Sequence, residues 1–282
     1  MNRALGDPAR IGRQLDLTFR RAPDGATFLA RQTAGFPFHI TRPFSLDTKP
    51  EGMATLIVQS IGAGILQGDR IDMALEAESA AAVHLTTQAS TVVHSMSEDH
   101  AEQTAHVTAR AGAFVEYLPD ALILFPESRL KTRLLLDIEP GATALWCDGV
   151  IMHDPKGGDG RFSELASETV LSRSNEVTAV DRFVIDGAVM SADGAAATGG
   201  YPIHASFGVV TDDDREGLLT VLREAVDGVD GTYCGLSTLP GESGLWGRIL
   251  ARDGVAYRAA MDVLWRTARK HLTGIEPPSR RK

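Results

Sequence analysis

The sequence predicts a mainly β protein of stacked β-strands, in the manner of a β-helix, with two α-helices near its C-terminus. Three observations carry that reading. Apolar and polar residues alternate with a period of two from about Asp16 to Phe207, the pattern of strands with one buried face. Three strand–turn–strand units recur, with turn centres at Ala81, Gly112 and Gly141 that lie 31 and then 29 residues apart. Apolar stripes at helical spacing are confined to the last quarter. Strands first and helices last argue against a doubly wound β-α-β sheet.

Residues 1–15 are polar and broken by Gly and Pro, and read as a loosely held lead-in. Residues 16–274 read as a single domain, since all-β architectures of this length often stay undivided. Within it, Ile71, Met73 and Leu75 alternate against Asp72 and Glu76, and Ala105, Val107 and Ala109 against Thr104, His106 and Arg110. Leu130, Leu134, Leu136 and Ile138 share one strand face; Lys131, Arg133 and Asp137 share the other, with Leu135 as the exception. The repeated units ESAAAVHL, ARAGAFVEYL and DIEPGATALW fit stacked β-coils or a layered sheet. TDDDREGLLTVLREAVDG then sets aspartates before a stripe of Leu218, Leu219, Leu222 and Val226, as a capped helix does. A second helix is expected from about Gly254 to Leu272. Tyr257, Met261, Leu264, Trp265, Ala268 and Leu272 lie on its apolar face, with Arg258, Asp262, Arg266 and Arg269 opposite. Gly274 stops it, and 275–282 form a basic tail.

The chain of 282 residues carries a formal net charge of -9, which repels phosphate backbones and excludes nucleic acid as an expected partner. No run of 18 apolar residues offers a membrane span. MNRALGDPARIGRQ lacks the apolar centre of a secretory signal, and Cys147 and Cys234 make no disulfide framework. The expectation is a cytoplasmic protein.

The stretch GAGILQGDRI, Gly62–Ile71, poses the question of a phosphate-binding loop. Gly62 and Gly64 fit a dinucleotide fingerprint, but Gln67 takes the third glycine's place and no Gly-Lys-Ser/Thr follows. A strand, not a helix N-terminus, comes next, so the glycines serve a turn or a close approach of two strands. Asp69-Arg70 at the strand entry reads as a local ion pair or an interaction patch.

GAGILQGDRIDMAL followed by HLTTQASTVVHSM resembles the UreD (UreH) family of urease accessory proteins. Gly68, Asp69 and Arg70 match its Gly-Gly-Asp-Arg motif, where Gln67 replaces a glycine and Gly64 opens the run. Leu85, Thr86, Thr87, Gln88 and Ala89 match its Leu-Thr-Thr-Gln-Ala motif, and Asp181-Arg182 its Asp-Arg strand. YLPDALILFPESRL, GLSTLPGESGLWGRIL and WRTARKHLTG extend the likeness over about residues 50 to 274. The segment 146–168 and the end PPSRRK depart from the family pattern. The resemblance implies a non-enzymatic role: binding the urease apoprotein and, with UreF and the GTPase UreG, assisting nickel delivery to its buried dinuclear site. No tightly bound cofactor is implied; nickel would be in transit. The implied fold, a β-helix-like stack of strands with two helices, agrees with the reading from periodicity.

Imidazole, thiolate and carboxylate all suit nickel, and two constellations offer them. His94, His100 and His106 are spaced six apart around Met96, Glu98 and Asp99, although SEDHAEQ reads as a hairpin loop between them. Trp146-Cys147-Asp148 with His153-Asp154 is the second: Cys147 and His153 flank what reads as a turn at Gly149 and would face each other across it. Both would act as weak, exchangeable ligands. The alternative from another class is a β-rich hydrolase or carbohydrate-active enzyme with paired carboxylates, drawing on Asp69, Asp72 or Glu127. Gly241-Glu242-Ser243-Gly244 comes nearest to a nucleophile elbow without matching one. A third reading is a divergent UreD-like protein with a changed client.

Overall fold

Alternation along the chain places one residue in two on a buried face, and two sheets enclose those faces between them. The computed structural model describes residues 12–191 and 195–279. The chain enters through the antiparallel pair β1 (Leu15–Arg21) and β2 (Thr27–Ala34), then β3 (Phe38–Ile40) and β4 (Ala54–Ser60). Next come β5 (Arg70–Ala77), β6 (Ala82–Thr87), β7 (Val92–Val93), β8 (Ala101–Ala109), β9 (Phe114–Tyr117) and β10 (Leu122–Leu124). They are followed by β11 (Arg129–Ile138), β12 (Thr143–Met152), β13 (Glu164–Arg173) and β14 (Glu176–Ile185). A one-turn helix α1 (Ala195–Thr198) precedes β15 (Ile203–Val210), α2 (Arg215–Asp227), β16 (Thr232–Thr238), β17 (Leu245–Ala251) and α3 (Gly254–Thr273).

One sheet has seven strands in the order β14-β13-β11-β8-β5-β1-β2. The other has the order β16-β17-β15-β12-β9-β6-β4-β3, with β10 and β7 paired beside β12. The middle of the chain winds between the two: β5, β8, β11 and β13 run parallel in the first sheet, and β6, β9 and β12 parallel in the second. The 30-residue repeat is therefore structural. Its turns stack, Ala80 donating to Ala111 O, with positive φ at Ala80, Gly112 and Gly141. The stacked coils and the two long C-terminal helices agree with the expected fold.

The alternation in β11 holds residue by residue: Leu130, Leu134, Leu136 and Ile138 are buried, Lys131 and Arg133 exposed. β1 already begins at Leu15, and residues 1–11 of the expected lead-in lie outside the described residues. The tail is held at its start, where Arg266 donates to Glu276 at 2.5 Å.

Both helices pack on the outer face of the second sheet. Asp214 caps α2 by accepting from Gly217 N, and Leu218, Leu222 and Val226 are buried. Asp253 caps α3 through Val255 N and Ala256 N, and Gly274 ends it with φ at 76°. One expectation is overturned. Arg269, assigned to the polar face, is 0% exposed. It lies on the helix face turned to β9 and reaches a carboxylate buried there. Arg269 Nε and Nη2 donate to Glu116 Oε1 and Oε2 at 2.6 and 2.5 Å, and Nη1 to Asp47 Oδ1 and Lys49 O at 3.0 Å each. Trp265 Nε1 donates to Glu116 Oε2 at 3.0 Å, and His84 Nδ1 lies 2.5 Å from the same oxygen. Burial alone would raise the Glu116 pKa; the Arg269 charge and hydrogen bonds, with His84, override it and hold it at about 2.

Two predictions follow from this cluster. Arg269→Ala strands a buried carboxylate, and its expected cost is about 3–5 kcal/mol in urea unfolding at neutral pH. Because the folded pKa of Glu116 is depressed from 4.5 to about 2, its stabilisation is complete above pH 4.5 and is lost as pH falls toward 2. The contribution is on the order of 3 kcal/mol. Unfolding free energies measured from pH 5 to 2 should fall less steeply in Glu116→Gln than in the native chain; equal slopes would remove Glu116 as the group responsible.

Candidate functional site

Between the sheets the apolar filling is divided. One cluster holds Leu75, Val107, Leu134, Leu136, Val115 and Trp146; another holds Ala101, Leu130, Leu165, Leu124 and Val150. The division follows from register. In the first sheet the row Ala101–Leu130–Leu165 and the row Met73–Ala105–Leu134 face inward. Between them runs the row Ile71–Gln103–Thr132–Ser167–Phe183, which is polar at its three central places. Thr87, Asp148 and His204 of the second sheet, with Asp120 in the connection between β9 and β10, border the same level. Stacked coils bring one polar residue per coil to the same height, and so a polar seam crosses the strands along the stacking direction.

A cavity occupies this seam. Its empty volume is ≈ 1150 Å³, part of it open to solvent, and Thr87, Gln103, Asp120, Thr132, Asp148, Ser167 and His204 line it among apolar neighbours. Thr87 and Asp120 bond each other: Asp120 N donates to Thr87 Oγ1 at 2.8 Å, and Thr87 Oγ1 to Asp120 Oδ2 at 3.3 Å. Asp148 Oδ1 accepts from Ser206 N at 3.0 Å. Desolvation raises the Asp148 pKa, and the Ser206 bonds and the Arg248 charge offset it only in part. Burial, then the Arg248 charge, pushes His204 down to about 4, which leaves a neutral imidazole at neutral pH.

The two glycine- and threonine-rich motifs meet beside the seam. Ile65 pairs with Val93 in a parallel bridge, with Ile65 N donating to Val92 O at 2.8 Å. Gly64 has φ at 124°, and a Cβ there would stand 2.4 Å from Val92 O and 3.0 Å from His94 Nε2. The glycines thus serve a close approach of two strands, as the sequence indicates. Asp69 is no ion-pair partner of Arg70 here: Asp69 Oδ2 accepts from Leu66 N at 2.8 Å and closes the turn at Gly68, while Arg70 is exposed. Thr86 is buried on the helix side of β6, and Gln88 is exposed, its amide bonded to Val58 O. A second hollow of ≈ 460 Å³ lies between the motifs, bordered by Ser60, Gly64, Gln88 and Val92. The third motif bridges strands: Arg182 Nη2 donates to Glu168 Oε1 at 2.8 Å, and Asp181 pairs with Arg248.

The expected metal ligands do not assemble. SEDHAEQ is not a hairpin, because β7 and β8 belong to different sheets and the segment crosses between them. His94 Nε2 bonds Ala63 O at 2.8 Å, His100 Nε2 bonds Glu102 Oε1 at 2.8 Å, and His106 faces outward, 3.6 Å from Asp72. Gly149 is no turn either; it lies inside the continuous strand β12. Cys147 is buried, its Sγ 3.4 Å from Pro119 O, while His153 is exposed beyond the strand end against Phe125. Among the described residues no three His, Cys, Asp or Glu side chains converge to hold a metal ion. Ser243, nearest to an elbow nucleophile, is buried and donates to Pro240 O. Sequence reasoning named Asp148 only beside Cys147 and His153, and missed Asp120, His204, Thr132 and Ser167. The signal for the last two was present as polar residues at inward places of otherwise apolar alternations.

A double-layered stack of parallel β-coils, capped by two helices and crossed by a polar seam, defines the class of protein. The family model described as UreD urease accessory protein matches residues 12–282. "Urease accessory protein UreD 1" of Pseudomonas syringae pv. syringae is 37% identical over 277 residues, covering 98% of this chain and 97% of that protein. The protein of the same description from Methylorubrum populi is 35% identical, covering 97% and 94%. "Urease accessory protein UreD" of Haloarcula marismortui is 31% identical, covering 99% and 93%. The chain belongs to the UreD family, whose members are accessory proteins rather than enzymes. Among the described residues no helix is long and apolar enough to cross a membrane.

The motif geometry predicts a contrast. Gly64→Ala meets both a positive φ and the Val92 carbonyl, so its cost should exceed the ~1–2 kcal/mol of backbone strain alone. Gly68→Ala has φ at 82° with nothing within 4 Å and should pay that strain only. Denaturant unfolding of the two variants checks the order.

Proposed function

We propose that this chain is a cytoplasmic chaperone of urease maturation, binding the urease apoprotein and the UreF–UreG partners and passing nickel toward the active site along the polar seam. Family membership supports the first part. The second rests on one observation: a line of polar groups crosses the interior where the alternation would otherwise place apolar ones. The seam offers carboxylates at Asp120 and Asp148, the neutral imidazole of His204, and hydroxyls at Thr87, Thr132 and Ser167. That donor set suits a borderline divalent cation. Spread along a line, such groups act as weak, exchangeable ligands for a cation that keeps part of its water. Cys147 borders the seam only from the strand it shares with Asp148, its side chain packing in the cluster on the helix side; His94, His100 and His153 lie away from it.

The test is co-expression of the tagged chain with the host's urease subunits and the two partner proteins. A stoichiometric complex should be recovered by pull-down, and urease activity should depend on the chain. Ser167→Leu and Thr132→Leu fill the seam with apolar volume. They should leave the complex intact while lowering nickel-dependent urease activity by about tenfold or more, a barrier of about 1.4 kcal/mol. Full activity in both folded variants would remove the seam as the route. Absence of any complex would remove the maturation role itself.

A further inference from the structure

The seam ends against β14, the edge strand of the first sheet. Its end wall is aromatic: the rings of Phe183 and His204 meet at 4.8 Å between centroids, tilted by 64°. Behind that wall a single side chain ties the two sheets together. Arg248, on β17 of the second sheet, donates from Nη2 to Asp181 Oδ1 on β14 at 2.6 Å and from Nη1 to Ser206 Oγ at 3.0 Å. Its guanidinium lies 5.3 Å from the centroid of the Phe183 ring. The side chains of Arg248 and Asp181 are 34% and 27% exposed, whereas Ser206 is fully buried. The partly exposed ion pair therefore sits against the Phe183 ring, which itself lines the cavity.

We propose that the Arg248–Asp181 pair is a latch that closes the β14 end of the seam, with Phe183 as the door it holds shut. This meaning rests on the reading of the seam as a cation route. A strand at a sheet edge has one hydrogen-bonded neighbour, so β14 opens more readily than the strands behind it. While the latch is shut, the guanidinium covers the Phe183 ring and neutralises Asp181, so the end offers a cation neither an opening nor a free carboxylate. When Arg248 swings away, it frees Asp181 and uncovers the Phe183 ring. A carboxylate then faces the mouth in place of a guanidinium, and the end that excluded a divalent cation now attracts one. The planar fork of arginine suits this task, because it spans Asp181 and Ser206 while stacking on the ring.

The latch can be read without nickel or urease. Ser167→Cys, in a Cys147→Ala/Cys234→Ser background, places one thiol in the seam. Its reaction rate is measured with cationic aminoethyl methanethiosulfonate and with neutral iodoacetamide, at a temperature where thermal melts show every variant folded. With the latch intact the thiol should react slowly. Arg248→Met and Asp181→Asn should each raise both rates about tenfold, the effect expected from losing a hydrogen bond to a charged partner. Fast labelling with the latch intact, or unchanged rates in both variants, would overturn the proposal. Acceleration by the cationic reagent alone would also overturn closure, leaving only a charge barrier. The route itself fails by a different sign: labelling would accelerate as expected while the seam-filling Ser167→Leu left urease activation untouched.

Discussion

The contact between Glu116 and Arg269 constrains more of this molecule than any other. A carboxylate on the central strand β9 cannot be buried alone, and an arginine on the inner face of α3 cannot either. Each is admissible only because the other is placed within 0.1 Å of the same bonding distance at two oxygens, 2.6 and 2.5 Å. Glu116 is fixed by the parallel ladder through β6 and β12. The position of α3 along the sheet is then fixed as well, since a shift by one turn would leave both charges unpaired. Trp265, one turn earlier, completes the carboxylate, and α2 packs against α3 in turn. The remaining guanidinium nitrogen holds Asp47 and Lys49, which anchors the long connection between β3 and β4. Helix pair, sheet and connector are registered by one side chain.

The seam arises from a different arithmetic. A strand presents alternate residues inward, and parallel coils stack like residues at like heights. A polar residue at one inward place therefore need only recur in each coil to draw a line across the interior. Gln103, Thr132 and Ser167 do so on β8, β11 and β13. The apolar rows on either side carry the burial that holds the sheets together, so the line costs the fold only one row. A stack selected for stability alone would fill that row with valine and leucine.

Much of the fold was legible because it depends on local period. The alternation in β5, β8 and β11, the 30-residue spacing of turns, the aspartate cap of α2 and the Gly274 stop are all properties of short windows. What escaped depends on juxtaposition across the chain. Arg269 looked solvated because an arginine beside Arg266 normally is, and its partner lies 153 positions away. Gly149 looked like a turn because glycine inside a ten-residue strand is uncommon, yet the strand continues through it. The histidines at 94, 100 and 106 looked equivalent by spacing, but a crossing between sheets lies between the first and the last. The seam was half legible: Thr132 is visible as an inward polar residue between Leu130 and Leu134, whereas Asp120 and His204 join it only through the winding of the second sheet.

The two buried polar systems can be told apart by the direction in which each shifts its carboxylate. At Glu116 desolvation is the largest single influence, yet the pKa falls, because the Arg269 charge and hydrogen bonds, with His84, supply more than burial removes. That cluster is saturated; it has nothing left to offer a ligand and serves the architecture. At Asp148 burial also dominates and the pKa rises, because the Ser206 bonds and a more distant arginine do not make up the loss. A carboxylate left under-compensated beside open space stabilises a cation better than it stabilises the fold. The helix side of the second sheet is thus finished chemistry, and the inner side, one residue along the same alternation, is chemistry held open.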